Sequence, residues 1–321
     1  MRAGYVPIMY DIIGDIHGHA DELVQLLTTL GYHDGNDCFR HTSRKVIFCG
    51  DFIDRGPQIP DAVRIAKSMV EGDAALAVMG NHEFNALAFH TEDPKVPGSY
   101  LRPHTPQNNH QHQKTLEQFA DDDLSAALEW FGTLPTSLDL GGLRVVHACW
   151  ESTGIQTIQD ALSDLPSAFS PDFLAPATTK TDPLFHAVER ILKGPELPLP
   201  QGETVTDKEG NVRRRIRIRW FEAADEHCWN TYSLPTKPSL PATSVPADSP
   251  AAPYPTDAPP VFVGHYWLPD SVPSPLSHNV ACLDYSVAKN GFLTAYRFDG
   301  EARLSAERFV SVPSRDRGAN T

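Results

Sequence analysis

Three times in its first 90 residues the chain follows one plan: an apolar run breaks into a glycine-flanked polar cluster, and a helix-like segment follows. MYDII (9–13) leads into Gly14-Asp15-Ile16-His17-Gly18. ADELVQLLTTL (20–30) then places Leu23, Leu26, Leu27 and Leu30 on one face. KVIFCGD (45–51) opens the cluster GDFIDRG, followed by DAVRIAKSMV (61–70), and AALAVMG (74–80) opens GNHE, followed by HEFNALAFH (82–90). Short apolar runs bounded by turn residues read as buried strands, and the i, i+3, i+4 spacing between them reads as helix. A β-α-β-α-β-α order predicts a parallel sheet covered by helices. Ligands bind beyond the carboxyl ends of the strands in such sheets, so the three clusters should converge on one rim.

The pattern breaks after residue 90. TEDPKVPGSYLRPHTPQNNHQHQKT reads as a polar, proline-marked excursion, with His104, His110 and His112 in a solvated Gln/Asn-rich loop. A helix is expected over 124–134, then a hairpin, SLDL-GG-LRVVHACW, turning on Gly141-Gly142. Weak helical segments follow at 155–163 and 183–193. In RRRIRIRW (213–220), Arg215, Arg217 and Arg219 alternate with apolar residues, as on a half-buried strand with a basic face. The segment 235–260 has nine prolines in 26 residues, too many for helix or central strand. Segments 260–268, 279–286 and 291–298 read as strands of a second sheet, and His147 and His265 each end an apolar run.

A length of 321 residues suffices for one large core with insertions or for two domains. No run approaches the ~18–20 apolar residues of a membrane span. A signal peptide is not expected, because cleavage after the first apolar segment would remove GDIHG. Five scattered cysteines without CxxC spacing argue for a reducing cytoplasm over a disulfide framework. The net charge of -14 argues against a broad nucleic-acid surface.

The strand-end residues are Asp15, His17, Asp51, Asp54, Arg55, Asn81, His82, His147 and His265. Carboxylate, imidazole and amide oxygen together suit borderline divalent ions such as Mn, Fe or Zn, and no cysteine belongs to the set. The set is too large for one ion with open positions and about right for two, with Asp51 the central candidate for a bridge. Two ions roughly 3.5–4 Å apart can hold a hydroxide nucleophile and clamp a phosphoryl oxygen. Arg55 would add a bidentate phosphate contact. His82 would act as general acid, with Asp54 orienting its imidazole.

In this order, GDIHG, GDFIDRG and GNHE resemble the signature blocks of the calcineurin-like metallophosphoesterases. GDxxDRG with GNHE is most similar to the phosphoprotein-phosphatase branch, which includes serine/threonine phosphatases and bacterial diadenosine-tetraphosphate hydrolases. The resemblance covers roughly 9–90, 143–150 and 261–298. It implies an α/β fold, a four-layer α/β/β/α sandwich, with residues 1–150 and 261–312 as core, 151–260 as an inserted cap or lid, and 313–321 as a loose tail. It also implies a first ion on Asp15, His17 and Asp51 and a second on Asp51, Asn81, His147 and His265, Mn being favoured. Asp54, Arg55 and His82 match the family's acid-pair and phosphate-binding positions. Trp267 stands where nuclease-like branches carry a second histidine, and His147-Ala148-Cys149 replaces the usual His-Gly-Gly. Asp284, in a segment similar to the closing block of the bacterial branch, is expected to support the site.

The expected function is hydrolysis of a phosphate ester or anhydride, with a phosphoprotein or a nucleotide or dinucleoside polyphosphate as substrate. One of Arg215, Arg217 and Arg219, or Lys193, could reach that substrate's phosphates from the cap. The competing classes are a non-catalytic binding protein on the same fold and a nuclease. The intact ligand and acid-pair residues weigh against the first, and Trp267 and the acidic charge against the second. Cys49 and Cys149 read as buried fillers.

Overall fold

The computed structural model describes residues 9–35, 37–163, 165, 169–206, 210, 212–246 and 252–315. Three parallel strands, β1 (Met9–Ile13), β2 (Arg44–Phe48) and β3 (Ala75–Ala77), alternate with α1 (Ala20–Leu30), α2 (Ile59–Glu71) and α3 (Asn81–His90). The β1 and α1 bounds are those read from the sequence. Two further helices, α4 (Pro106–Gln118) and α5 (Asp121–Phe131), precede the expected hairpin of β4 (Ser137–Asp139) and β5 (Arg144–Val146).

The excursion after residue 90 is therefore not all loop. The Thr105 side chain accepts a hydrogen bond from the Asn108 amide, and Pro106 occupies the first turn, so a capped helix starts within the polar stretch. Only His112 and Thr115 of this helix are buried, three residues apart on one face. Propensity and apolar period gave no sign of it because what it packs against is polar.

The later strands divide between two sheets. β8 (Val261–Val263) pairs in parallel with β5 and with β9 (Val280–Cys282), which completes a second sheet of order β9-β8-β5-β4. The expectation that 291–298 joins it is corrected. Beyond Leu283 the chain crosses over, and β10 (Asp284–Tyr285), β11 (Phe292–Phe298) and β12 (Phe309–Pro313) extend the first sheet. β11 lies antiparallel against β1, with Tyr10 opposite Phe298 and Ile13 opposite Ala295.

Side-chain alternation along the strands builds the layers. Ile12 and Ile47 meet Val145, Phe262 and Ala281 in an apolar seam between the sheets. Ile13, Val46 and Phe48 face the opposite way, toward Leu23, Leu26 and Met69 of the helices. The outer face of the second sheet, with Val146 and Val263, shares its cluster with Ile155, Ile158, Val188 and Ile191. These come from α6 (Ser152–Ser163) and α8 (Pro183–Lys193), which pack on each other and, through α8, on α7 (Pro171–Thr178). The result is a four-layer α/β/β/α sandwich.

Segment 151–260 thus has two characters. Its helices complete the main core. A hairpin of β6 (Glu196–Pro198) and β7 (Arg215–Arg217) instead belongs to a small separate cluster around Ile216, Ile218, Trp229 and Tyr232. The described residues of 235–260 contain no helix or strand, and the tract is pinned at Tyr254, whose hydroxyl donates to the Pro259 carbonyl and accepts from Arg144. The start of the expected tail is held as well: the Arg315 amide donates to Glu22 at 2.8 Å, while 316–321 lie outside the described residues.

One buried polar knot fastens the first sheet. Asp11, on β1, is fully buried and accepts from Arg44 Nε at 3.0 Å and the Tyr32 hydroxyl at 3.1 Å, with Arg297 Nε at 3.2 Å. The knot joins β1, β2 and β11. Removing one partner of a buried pair strands the other charge, at a cost of about 3–5 kcal/mol. Asp11→Ala is expected to lower the unfolding free energy by that amount in urea titration, whereas Arg64→Ala, at an exposed i, i+3 pair, should shift it by less than about 1 kcal/mol.

Candidate metal centre

Both sheets deliver their carboxyl ends to one rim, and the named side chains meet there. From the first sheet, His17 Nε2 lies 3.6 Å from Asp51 Oδ2. From the second, His147 Nε2 lies 3.4 Å from the same oxygen. Asn81 Oδ1 stands 3.1 Å from His147 Nε2 and 2.6 Å from His265 Nδ1. Two clusters of potential ligand atoms result, His17-Asp51-His82 and Asp51-His147-His265, all buried, with Asp51 in both. Asp15 falls outside these two clusters. Its carboxylate accepts the His265 backbone N–H, with Oδ2 at 3.0 Å, which ties the rim of one sheet to that of the other.

The backbone bends sharply to bring these groups in. His17, Asp51, Asp54, Arg55, His265 and Trp267 all have positive φ, from 45° to 70°, a region that side-chain-bearing residues seldom occupy. Glycine is required where backbone meets carboxylate: a Cβ on Gly264 would lie 1.9 Å from Asp15 Oδ1, and one on Gly80 2.2 Å from Asp51 Oδ1.

Hydrogen bonds set the imidazole tautomers. His17 Nδ1 donates to the Ile53 carbonyl at 2.8 Å and His147 Nδ1 to the Cys49 carbonyl at 2.7 Å. In each neutral ring this turns the Nε2 lone pair toward Asp51, the arrangement a metal ligand needs. Without cations the charges respond to one another. Burial opposes ionisation of Asp51, yet His147 and His82 hold it well below the usual carboxylate range. Burial also opposes charge on His147, but Asp51 pushes that imidazole up to about 10. Burial and Asp284 push Asp15 up. Burial and Arg55 depress His17, and burial and Arg217 depress His265. Asp284 supports the rim, accepting the Trp267 and Ser286 amides at 2.7 and 2.9 Å.

Asp54 and His82 form a pair beside this cluster. His82 Nδ1 donates to Asp54 Oδ2 at 2.5 Å, and Arg55 Nη2 lies 3.2 Å from His82 Nε2. Trp267 lies under the Arg55 guanidinium, 4.0 Å from carbon to ring centroid. The other Asp54 oxygen reveals residues that sequence reasoning missed. His112 Nδ1 donates to it at 2.9 Å and the Thr115 hydroxyl at 2.5 Å. His112 also meets His90, Nε2 to Nε2 at 3.2 Å, and burial together with His112 and His104 holds His90 down at about 4. Burial works against the Asp54 charge, but the His112 and His82 hydrogen bonds keep its carboxyl well below its ordinary range. The reading of His112 as a solvated loop residue is therefore corrected. His104 is also engaged, stacked between Phe89 and Tyr100, while His110 is exposed.

Glu83, the last residue of GNHE, was likewise passed over. It is fully buried, and its carboxylate accepts the amides of Asp51 and Phe52 at 2.8 Å each, Gly80 at 3.0 Å and Ile53 at 3.4 Å. Burial and the Asp51 charge push its carboxyl up to about 7. The signal that could have found it is the capping pattern: an acidic residue at the third helical position returns to amides at the helix start.

The remaining expectations separate. Arg219 is taken by Glu222 and the Leu276 carbonyl, exposed Arg215 approaches Glu196, and Lys193 is paired with Glu189. Arg217 carries no such commitment among the described residues. All five cysteines are free, and Cys49 and Cys149 are buried as expected. No helix among the described residues is long and apolar enough to cross a membrane.

Glu83→Gln keeps the volume but turns an amide NH2 toward backbone N–H donors. It is expected to cost about 2–4 kcal/mol through unsatisfied buried groups, read as a lower urea midpoint at unchanged m-value.

Residues 10–185 match the sequence profile described as calcineurin-like phosphoesterase. The asymmetrical bis(5'-nucleosyl)-tetraphosphatase of Halalkalibacterium halodurans is 40% identical over 76 residues, 23% of this chain and 31% of that protein. The symmetrical enzyme of Vibrio campbellii is 28% identical over 137 residues, 43% of each chain. The chain thus spans under a third of the length of the first relatives and less than half of the second. A protein serine/threonine phosphatase structure from Saccharomyces cerevisiae shares the fold at 12% identity and a TM-score of 0.50, covering 97% of this chain and 80% of that one. The profile match takes in more than half of the 321 residues, and the chain belongs to the calcineurin-like phosphoesterase family.

Proposed function

We propose that the chain is a dinuclear-metal phosphoesterase that hydrolyses a phosphate ester or anhydride, with nucleotides or dinucleoside polyphosphates as the favoured substrates. The observation that carries this reading is the Asp51 carboxylate, buried and common to both clusters of potential ligand atoms. The residues fit divalent cations. His17 Nε2, 3.6 Å from Asp51 Oδ2, is buried without a hydrogen-bond partner among the described residues. Donor atoms around Asp51 and Asn81 stand 2.6 to 3.6 Å apart, the spacing of ligands that share an ion at about 2.0–2.2 Å. Asp15, His17 and Asp51 would hold one cation and Asp51, Asn81, His147 and His265 the other, with Mn the favoured metal. Cations bound there would supply Lewis-acid charge to a phosphoryl group and acidify water.

The chain's own residues then divide the remaining work. Arg55, its guanidinium steadied on Trp267, binds a non-bridging phosphate oxygen. When Arg55 swings onto the phosphate, His82 Nε2 is released to carry a proton to the leaving oxygen. Asp54 holds the imidazole through Nδ1, and His112 and Thr115 hold Asp54. His112 and Thr115 are positioning residues, since they act through Asp54.

Two observations favour a small anhydride substrate over a folded phosphoprotein. The relatives with matching sequence are named for dinucleoside tetraphosphate hydrolysis. The second half of 151–260 also forms a small cluster separate from the main core, which supports its reading as a cap. The five free cysteines suit a reducing cytoplasm.

With Mn supplied, the purified protein is expected to turn over nucleotides and dinucleoside polyphosphates faster than phosphopeptides across one substrate panel. Asp51→Asn should lose more than about 100-fold in kcat/KM. A panel without metal-dependent turnover would favour a binding protein. His82→Ala should cost about 10²–10⁴-fold in kcat on anhydrides and alkyl esters. The loss should be much smaller on p-nitrophenyl phosphate, whose phenolate departs with little help from a proton, so the ratio of losses tests the acid role.

A further inference from the structure

A groove of about 970 Å³ lies between α8 and the β6–β7 hairpin, within the range of sites that bury a small ligand. Its lining includes Phe185, Arg190, Lys193, Arg215, Arg217 and Trp229. Among the described residues, the only acidic side chains along it are Glu189 and Glu196, and each already faces a cation, Glu189 with Lys193 and Glu196 with Arg215 at 3.5 Å. Arg217 is half-buried on β7 and has no ion pair or side-chain hydrogen bond among the described residues. A guanidinium withdrawn from water without an anionic partner suits an anionic ligand.

One buried ring links the lining of the groove to the metal centre. Gly194, in its floor, packs so closely on Tyr266 that a Cβ there would lie 2.3 Å from the tyrosine hydroxyl. That hydroxyl donates to the Ala148 carbonyl at 3.0 Å, so one ring spans the chain neighbours of His147 and His265. Of the three alternating arginines, two are engaged by protein groups and the third faces this groove. Of the two aromatic rings in the lining, half-buried Phe185 offers an apolar face suited to a planar base, while Trp229 is seated in the cluster behind the hairpin.

We propose that this groove is a nucleoside-polyphosphate subsite, in which Arg217 binds the phosphates that do not react and Phe185 accommodates the nucleoside. The proposal rests on the phosphoesterase reading of the metal centre. No bond is made or broken in the groove. It sets which substrates are held.

The test measures binding separately from turnover. Adenosine 5'-(α,β-methylene)triphosphate, inorganic phosphate and a phosphoserine peptide are titrated calorimetrically into the full chain with Mn, in the Asp51→Asn background. Arg217→Met, which keeps the apolar stem, should weaken the nucleotide about tenfold, in line with loss of a charge-assisted contact. Inorganic phosphate should change less than twofold. Arg217→Lys, which keeps the charge and guards against misfolding of the first variant, should fall between wild type and Arg217→Met. Unchanged nucleotide affinity in both variants overturns the subsite. Equal losses for phosphate and nucleotide also overturn it, by placing Arg217 at the reacting phosphate, as does an Arg217-dependent preference for the peptide. Turnover retained by Asp51→Asn would instead count against the metal-centre reading, so the two failures are distinct.

Discussion

The rim is organised around one buried carboxylate that touches no substrate in the proposed chemistry. Glu83 gathers the amides of Gly80, Asp51, Phe52 and Ile53, four donors that belong to no strand ladder or helix. The turn after β2 can therefore leave the sheet and place Asp51, Asp54 and Arg55 in left-handed conformations that isolated residues avoid. The third signature block thus fixes the shape of the second. A lone GDFIDRG would be a strained turn with nothing to satisfy its backbone; with GNHE one helix start away it becomes a rigid platform.

Much of this was legible in the sequence, for physical reasons. β1 and α1 show their bounds because a continuous apolar run and a leucine stripe are local signals, and the strand-end clusters could be expected to converge because parallel topology leaves few other arrangements. What stayed hidden depends on partners far away in the chain. His112 sits in a Gln/Asn-rich stretch with no apolar period, and only the Asp54 oxygen 58 residues earlier gives it a role. Asp11 reads as an oddity in MYDII until Arg44 and Arg297 arrive from two other strands. The place of β11 was misread for a similar reason: strand character is local, whereas sheet membership is decided by which neighbour offers free backbone groups, and β1 did.

The 151–260 segment packs in two different ways along its length. Its helical half buries Ile155, Ile158, Val188 and Ile191 against the second sheet and is as much core as the strands. Its hairpin half keeps its own apolar cluster and, with α8, lines a groove that carries Arg215 and Arg217. The two halves meet at Gly194, where φ is 76° and the chain turns from α8 into the hairpin.

The apolar seam between the sheets has a further consequence. His17 and Asp51 hang from one sheet, while His147 and His265 hang from the other, and Ile12, Ile47, Val145 and Phe262 fill the space between. The thickness of that hydrocarbon layer is thus also the gauge of the electrostatic centre above it. A methylene gained or lost deep in the seam would act as a shim under one half of the rim, respacing charges from a position with no polar atom of its own. Volume changes there should drift through evolution only in compensating pairs.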